Sequence, residues 1–472
     1  MLDLKLMNHN EFRRELETVI RGEVLFDEMS RLLYSTDASL YQIKPTGVVV
    51  PYDRNDVLQT VRLAAKYAAP LLPRGGGTSL AGQTVTSGLV IDFSKYMNQI
   101  LEINQEERWA RVQPGIELDN LNHSLRPYGL FFAPDVATSS RANVGGMIGN
   151  NSSGVRSVRY GKTVDHVLGL SAILSSGLEL ELWDLSQEEL KVKCSQETDE
   201  GKLYRSVSQL ISENQSEIEK RFPKVMRRVS GYNLDELTGS ESFNLSKLLV
   251  GSEGTLATVT EAKLNLEPIP PFTALAVLHF QDLIEAIRAV PSILHYQPTA
   301  VEILDRYGLE LALDNPVVAK LCRSFIQGNP EAVLIVELSA DSQEDLQNGF
   351  GAMLADSEIR RTSSHIYRAE DAQTQQRVWQ VRKNALGVML GVKGDDKPLP
   401  FIEDSGIPVE HLGDYISELL QICKQHNRRM ALYAHASVGV IHVRPILNLK
   451  RQDDVDIMQS ISRQTFELVR KY

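Results

Sequence analysis

The sequence predicts an α+β fold in at least two domains. Its 472 residues exceed what one hydrophobic core usually serves. In the first half, short β-branched runs alternate with amphipathic helices, and a proline cluster (Pro268, Pro270, Pro271) then interrupts the chain. Beyond it, AVLHF (276–280), VLIVELSA (333–340) and HIYRA (365–369) alternate with helical segments 281–295 and 342–357, the pattern of an antiparallel sheet with helices. The expected division is an N-terminal helical segment over 1–40, a first domain over 41–268 and a second over 269–472.

Residues 10–35 read as helical, with Phe12, Leu16, Ile20 and Leu25 on roughly helical spacing. GVVVP (47–51) is a short strand closed by Pro51, and RNDVLQTVRLAAKYAA (54–69) is a helix with Asn55 or Asp56 as its cap. APLLPR (69–74) runs as a strand into a glycine loop. GLVIDFS (88–94) is a strand, and the alternation in ILEINQEERWARVQPG (100–115) indicates a hairpin. A helix at 117–127 precedes a Gly- and Asn-rich stretch at 133–161. HVLGLSAILSSGLELEL (166–182) is a hairpin turning at Ser176-Gly177, and 184–228 is a polar, helical insertion. KLLVGSEGTLATVTEAKLNLEP (247–268) reads as strand, glycine turn and strand.

A formal net charge of −11 disfavours a nucleic-acid surface, which needs a basic footprint. No stretch reaches the ~18 apolar residues of a membrane-spanning helix, and the N-terminal residues lack the apolar run of a signal peptide. Cys194, Cys322 and Cys423 lie far apart, so they form neither an iron–sulfur site nor a disulfide framework. The expected location is the cytoplasm, including its membrane face as a peripheral protein.

Two glycine-rich stretches carry the first chemical signal. Arg74-Gly75-Gly76-Gly77-Thr78-Ser79-Leu80-Ala81-Gly82 follows a strand and can turn several N–H groups into one concavity suited to a pyrophosphate, with Arg74 offsetting its charge. The spacing fits neither a P-loop nor a Rossmann fingerprint. Alone, it serves equally well as a tight turn. The second stretch sets Gly145, Gly146, Gly149, Gly154 and Gly161 among Val144, Met147, Ile148 and Val155, as expected of backbone lying against a large planar ligand.

In order along the chain, PRGGGTSLAGQ, PDVATSSRANVGGMIGNNSSG, RYGKTVDHVLGL, GYNLDEL and VGSEGTLATVTEAKL resemble the FAD-binding domain of FAD-linked oxidases, the PCMH or vanillyl-alcohol-oxidase superfamily, over roughly 40–268. Within it, the chain is similar to the D-2-hydroxyacid dehydrogenases, a branch that includes D-lactate dehydrogenase, glycolate oxidase flavin subunits and D-2-hydroxyglutarate dehydrogenases. The resemblance implies a PCMH-type two-subdomain FAD-binding domain, then an α+β substrate domain with an antiparallel sheet. It implies FAD contacts at Arg74, Gly75, Gly76, Gly77, Thr78, Ser79, Gly82 and Gln83, and around the flavin at Pro134, Asp135, Gly145, Gly146, Gly149, Asn150, Asn151 and Gly154. Glu253, Gly254 and Val259 complete the implied pocket. Some relatives attach FAD through a histidine in the first loop. Here that loop reads Thr78-Ser79-Leu80, so the expected FAD is non-covalent.

ALYAHASVGVIHVRP (431–445) reads as strand, turn and strand carrying His435 and His442. Two imidazoles across a turn can converge on one divalent metal, although polar packing explains such a pair as well. The resemblance implies zinc or a similar ion at His435 and His442, and a substrate-carboxylate clamp at Arg382 in VWQVRKNALG (378–387). Lys397, Glu403 and Asp404 are nearby contributors, while Leu386 and Ile402 stand where the branch implies polar or basic side chains. The family's Gly-Glu-His-Gly motif, with a third metal ligand and the catalytic base, does not occur in these residues. The expectation is therefore an incomplete substrate domain. A complementary polypeptide is expected to supply that motif for oxidation of a 2-hydroxy acid, with electrons passing to an iron–sulfur partner or quinone. The competing expectations are a non-catalytic FAD-binding subunit or gene fragment, and a flavin oxidase of sugars or alcohols.

Overall fold

The computed structural model describes residues 9–472 apart from 229, 240 and 241. The chain forms two units. The first takes residues up to Ser152, then Lys162–Pro223, then onward to Ile269; the second takes Ser153–Gly161, Lys224–Arg228 and Pro270–Tyr472. The divide after Ile269 falls in the proline cluster. Within the polar insertion, however, residues 224–228 belong to the second unit.

The first unit is built on two sheets. In one, Gly47–Val50, Leu89–Asp92 and Leu71–Arg74 run parallel, and Glu23–Leu25 pairs antiparallel with Gly47–Val50. Its apolar runs are buried because helices cover them. Val57, Leu58 and Val61 of Arg54–Lys66 pack on Ile91, and Phe12 and Leu16 of His9–Val19 pack on Val49 and Leu89. The stretch 10–35 is thus not one helix. Strand Glu23–Leu25 splits it, and the N-terminal segment completes the first unit instead of standing apart. Residues 1–8 of the expected 1–40 segment lie outside the described residues. Asp53, not Asn55 or Asp56, caps Arg54–Lys66; Asp56 is buried and accepts the N–H groups of Arg21, Gly22 and Tyr52.

The other sheet is antiparallel, in the order Ile100–Asn104, Trp109–Val112, Thr258–Asn265, Val167–Ile173, Glu179–Leu182. Leu118, Leu121 and Leu125 of one helix and Tyr204, Ile211 and Ile218 of Asp199–Arg221 share its core. The segment expected as a strand from Lys247 is instead a helical turn, Ser246–Leu249, and the strand begins only at Thr258.

The second unit is an eight-stranded antiparallel sheet. Its central strands are Phe272–Phe280, Ala332–Ala340, Ala300–Asp305, Met430–His435 and Val440–Leu447. Helices cover both faces. One face packs against Leu283–Arg288, Gln343–Ala355 and Leu412–Gln425; the other packs against Arg306–Asp314, Pro316–Cys322 and Ala372–Leu390. Burial on both sides erases the usual in–out alternation, so strand Ala300–Asp305 left no period-two signal.

Candidate functional site

In the first unit, three stretches far apart in sequence meet. A Cβ on Gly75 would lie 2.8 Å from Asn143 Oδ1, and one on Gly76 would lie 2.0 Å from the Arg141 carbonyl oxygen. These glycines let the loop press against 141–143. Gly77 takes a left-handed φ of +64°. Gly149 and Ile148 accept the N–H groups of Glu253 and Gly251, each at 2.9 Å, bringing in the third stretch. Glu253 itself has φ +53°, a conformation rare outside glycine. Arg74 stands behind this assembly, donating to the carbonyls of Tyr34, Thr36 and Thr84. Arg74, expected to offset pyrophosphate charge, braces the loop through these three carbonyls.

The helix Val144–Asn150 offers one bare flank. A Cβ on Gly146 would meet nothing within 4 Å, and one on Gly149 only Glu253 Cα at 3.7 Å. Gly146 and Gly149 are three residues apart and share a helix face, so a flat ligand can approach the backbone there. Asn143 Oδ1 nearby is buried without a hydrogen-bond partner. An open flank and an orphaned acceptor fit a dinucleotide cofactor.

In the second unit, the sheet face beneath helix Ala372–Leu390 carries a buried charge network. Glu302 is fully buried on Ala300–Asp305, with its Oε2 2.6 Å from Arg382 Nε and its Oε1 2.8 Å from His435 Nδ1. His435 pairs across the ladder with Glu302, and His442 with Tyr433. The two imidazole centroids are 5.2 Å apart, edge to face. His442 Nδ1 lies 3.0 Å from Asp404 Oδ1 and 3.7 Å from Glu403 Oε2. Arg227 holds Asp404 at 2.8 Å, Arg444 pairs with Glu403, and Arg444 donates to the Tyr433 hydroxyl at 3.1 Å. Glu337 accepts from Arg156 at 2.8 and 3.0 Å and from Trp379 Nε1 at 2.8 Å.

Each of these carboxylates has a guanidinium partner. Burial pushes the Glu302 carboxyl up, but Arg382 and His435 outweigh it and hold it below the ordinary value. Burial dominates at His435 and lowers its pKa despite Glu302. At Asp404 burial again pushes upward, and Arg227 and His442 overcome it, holding the carboxyl far below the carboxylate range. A neutral His435 that turns Nδ1–H to Glu302 keeps its lone pair on Nε2, the arrangement by which carboxylates prepare imidazoles for metal.

Residues 45–182 match the family of FAD binding domains, and residues 269–472 match the C-terminal domain of FAD linked oxidases. The chain belongs to the FAD-linked oxidases. It is 36% identical over 479 residues to a D-2-hydroxyglutarate dehydrogenase of Pseudomonas putida, covering 98% of this chain and 47% of that one. It therefore spans about half the length of that dehydrogenase. It is 26% identical to the glycolate oxidase subunit GlcD of Bacillus subtilis, covering 95% of this chain and 83% of that one. The fold matches that of p-cresol methylhydroxylase with a TM-score of 0.70, at 13% identity and covering 97% and 87% of the two chains.

In this FAD-linked oxidase, the first unit gathers Gly75, Gly76, Gly77, Gly145, Gly149, Asn151, Glu253 and Gly254: a Cβ on Gly254 would sit 3.1 Å from Pro73, and Gly251 lies against Asn151. Ser79 hydrogen-bonds Gln83, and Asn150 donates to Ser152 at 3.1 Å. Val259 pairs with Ala172 within its sheet. Gly154 falls in the second unit, donating to Ser157 Oγ at 2.8 Å. Arg382, expected to face a substrate carboxylate, is buried and paired with Glu302. Sequence reasoning missed Glu302, Glu337, Arg227 and Arg444. For the two glutamates there was a signal: an acid inside an otherwise apolar run, AVEILD and VLIVELSA, which a packed strand tolerates only with a partner.

His435 and His442 fit two positions of a catalytic-type metal site. No group of three or more His, Cys, Asp or Glu side chains arranged to hold a metal occurs among the described residues. None of the described helices is long and apolar enough to cross a membrane.

Proposed function

We propose that this chain binds FAD non-covalently and forms the flavin part of an enzyme that oxidises a 2-hydroxy acid, of the lactate, glycolate or 2-hydroxyglutarate class, to the 2-oxo acid. The observation that carries the reading is the buried imidazole pair whose Nδ1 atoms face Glu302 and Asp404. The names of the similar dehydrogenases and oxidase subunit support the substrate class. When bound, FAD supplies the two-electron acceptor and a divalent ion such as zinc supplies Lewis acidity. Glu302 fixes the His435 tautomer, and Arg382 keeps Glu302 ionised. Backbone turns around Gly75–Gly77 and Gly145–Gly149 exclude side-chain bulk where the cofactor lies. The proton-accepting base comes from a Glu-His segment on a complementary polypeptide, and electrons leave to an iron–sulfur partner or quinone. The protein works in the cytoplasm.

Purified protein is expected to be yellow, to release its flavin on mild acid treatment, and to bleach anaerobically with D-lactate, glycolate or D-2-hydroxyglutarate once zinc and the complementary polypeptide are present. A flavin that stays oxidised with every acid under those conditions removes the enzymatic reading and leaves a non-catalytic FAD-binding subunit. Colourless protein that takes up no FAD removes both.

A further inference from the structure

A cavity of about 560 Å³ lies wholly within the second unit, inside the range of about 300–1,000 Å³ usual for small-molecule sites. Residues 158–159, 224–226, 294–298, 407–410 and 437–438 contribute to its walls. None of Glu302, Arg382, His435, His442 and Arg444 lines it. Leu294, Ile407 and Val409 belong instead to the apolar layer on the sheet face away from helix Ala372–Leu390. The cavity is therefore separate from the charge network.

Its walls are pinned by backbone. A Cβ on Gly406 would run into the Arg227 carbonyl oxygen, and one on Gly439 into that of Ile407. Gly439 takes φ +70°, and its carbonyl accepts the Ile407 N–H at 2.9 Å. Glycine at these two positions lets 224–228, 405–407 and the 436–439 turn close on one another, so the cavity is pre-formed.

The lining divides by chemistry. Ile407 and Val438 are buried, and Val158, Val225 and Leu294 are half-buried, so the interior is apolar. Arg159 and Lys224 are exposed at the rim and have no ion-pair partner among the described residues. Glu410 is exposed there too and is likewise unpaired among them. Two cations against one carboxylate leave an excess of one positive charge, in a chain whose formal net charge is −11. A local field of that sign above apolar walls favours a ligand with one negative charge and an apolar body.

We propose that this cavity binds a monocarboxylate carried on an apolar chain or ring, its carboxylate at Arg159 and Lys224 and its body against Val158, Leu294, Ile407 and Val438. The site goes beyond the proposed oxidation and does not depend on it.

The test is calorimetric titration of the FAD-loaded full chain with octanoate, octan-1-ol, acetate and 4-phenylbutyrate. Octanoate is expected to bind at least tenfold more tightly than octan-1-ol, and acetate, a head without a body, to show no saturable binding. Arg159→Gln and Lys224→Gln should each weaken octanoate at least threefold and leave octan-1-ol unchanged. Glu410→Gln, which removes the opposing charge, should strengthen it. Met226→Glu places a second carboxylate in the lining and should weaken it at least tenfold. All four positions are exposed, so these variants keep the fold. Tighter octanoate than 4-phenylbutyrate identifies a fatty acid, and the reverse identifies an aryl acid. Equal binding of octanoate and octan-1-ol by the unsubstituted protein overturns the site, as does octanoate binding unchanged in R159Q/K224Q and in M226E. The flavin takes no part in this readout, so failure of 2-hydroxy acids to bleach it leaves the site standing.

Discussion

In the first unit, what a ligand can meet is main chain: loops holding glycines because neighbouring backbone leaves no room for a Cβ. In the second, it is side chains: carboxylates, guanidiniums and imidazoles sunk into a sheet packed on both faces. The difference concerns how each site is kept in shape. Glycine loops are shaped by sterics and backbone hydrogen bonds, so extra atoms should damage them. The charge network is shaped by mutual neutralisation, so loss of one partner should damage it.

The largest expected effect is in the network. Glu302→Ala leaves Arg382 buried without its partner and should cost about 3–5 kcal/mol of stability, read by chemical denaturation. A near-neutral outcome would mean that the network is not mutually dependent. Gly76→Ala is the matching insult to the loops. Its Cβ would sit 2.0 Å from the Arg141 carbonyl, so the loop must move, at about 1–3 kcal/mol, and flavin content, read as the ratio of flavin to protein absorbance, should fall severalfold. Full flavin occupancy in that variant would show that the loops tolerate bulk.

The two regions were unequally legible, and for physical reasons. Glycine runs announce themselves because few structures other than tight backbone packing need them, so the close packing around Gly75–Gly77 is legible in the sequence. Arg74 adjoins the loop in sequence, but the direction of its side chain depends on the carbonyls of Tyr34, Thr36 and Thr84, which no local pattern reveals. Glu302 shows only as an acid inside the apolar run AVEILD, which has neither helical nor alternating periodicity, and its partners Arg382 and His435 lie 80 and 133 residues away, beyond any local pattern. The histidine hairpin was legible; the carboxylates behind it were only partly so.

The network should also confer a pH dependence that the loops lack. His435 has a depressed pKa when folded, so the unfolded chain binds more protons below its ordinary value of about 6.5, and stability should fall as pH drops through that region. Glu302 and Asp404, both held low, keep their contribution above about pH 4 and lose it only in stronger acid. Denaturation midpoints between pH 8 and 4 check this, and His435→Gln should flatten the upper part of the decline. The smallest effect belongs to the first unit: Asp53→Ala removes the acceptor for Asp56 N–H and should cost about 1 kcal/mol, with no change in flavin content.

The strays of the second unit, 153–161 and 224–228, limit how this protein can be divided. A fragment beginning at Pro270 looks like a natural expression product, since it starts in the proline cluster and contains the whole eight-stranded sheet. It would nonetheless lack Arg156 and Arg227, leaving Glu337 and Asp404 without those cations. Arg227 also emerges from the ribosome 177 residues before Asp404, so the second unit cannot finish assembling until the late strands are made, while its early pieces must stay available until then.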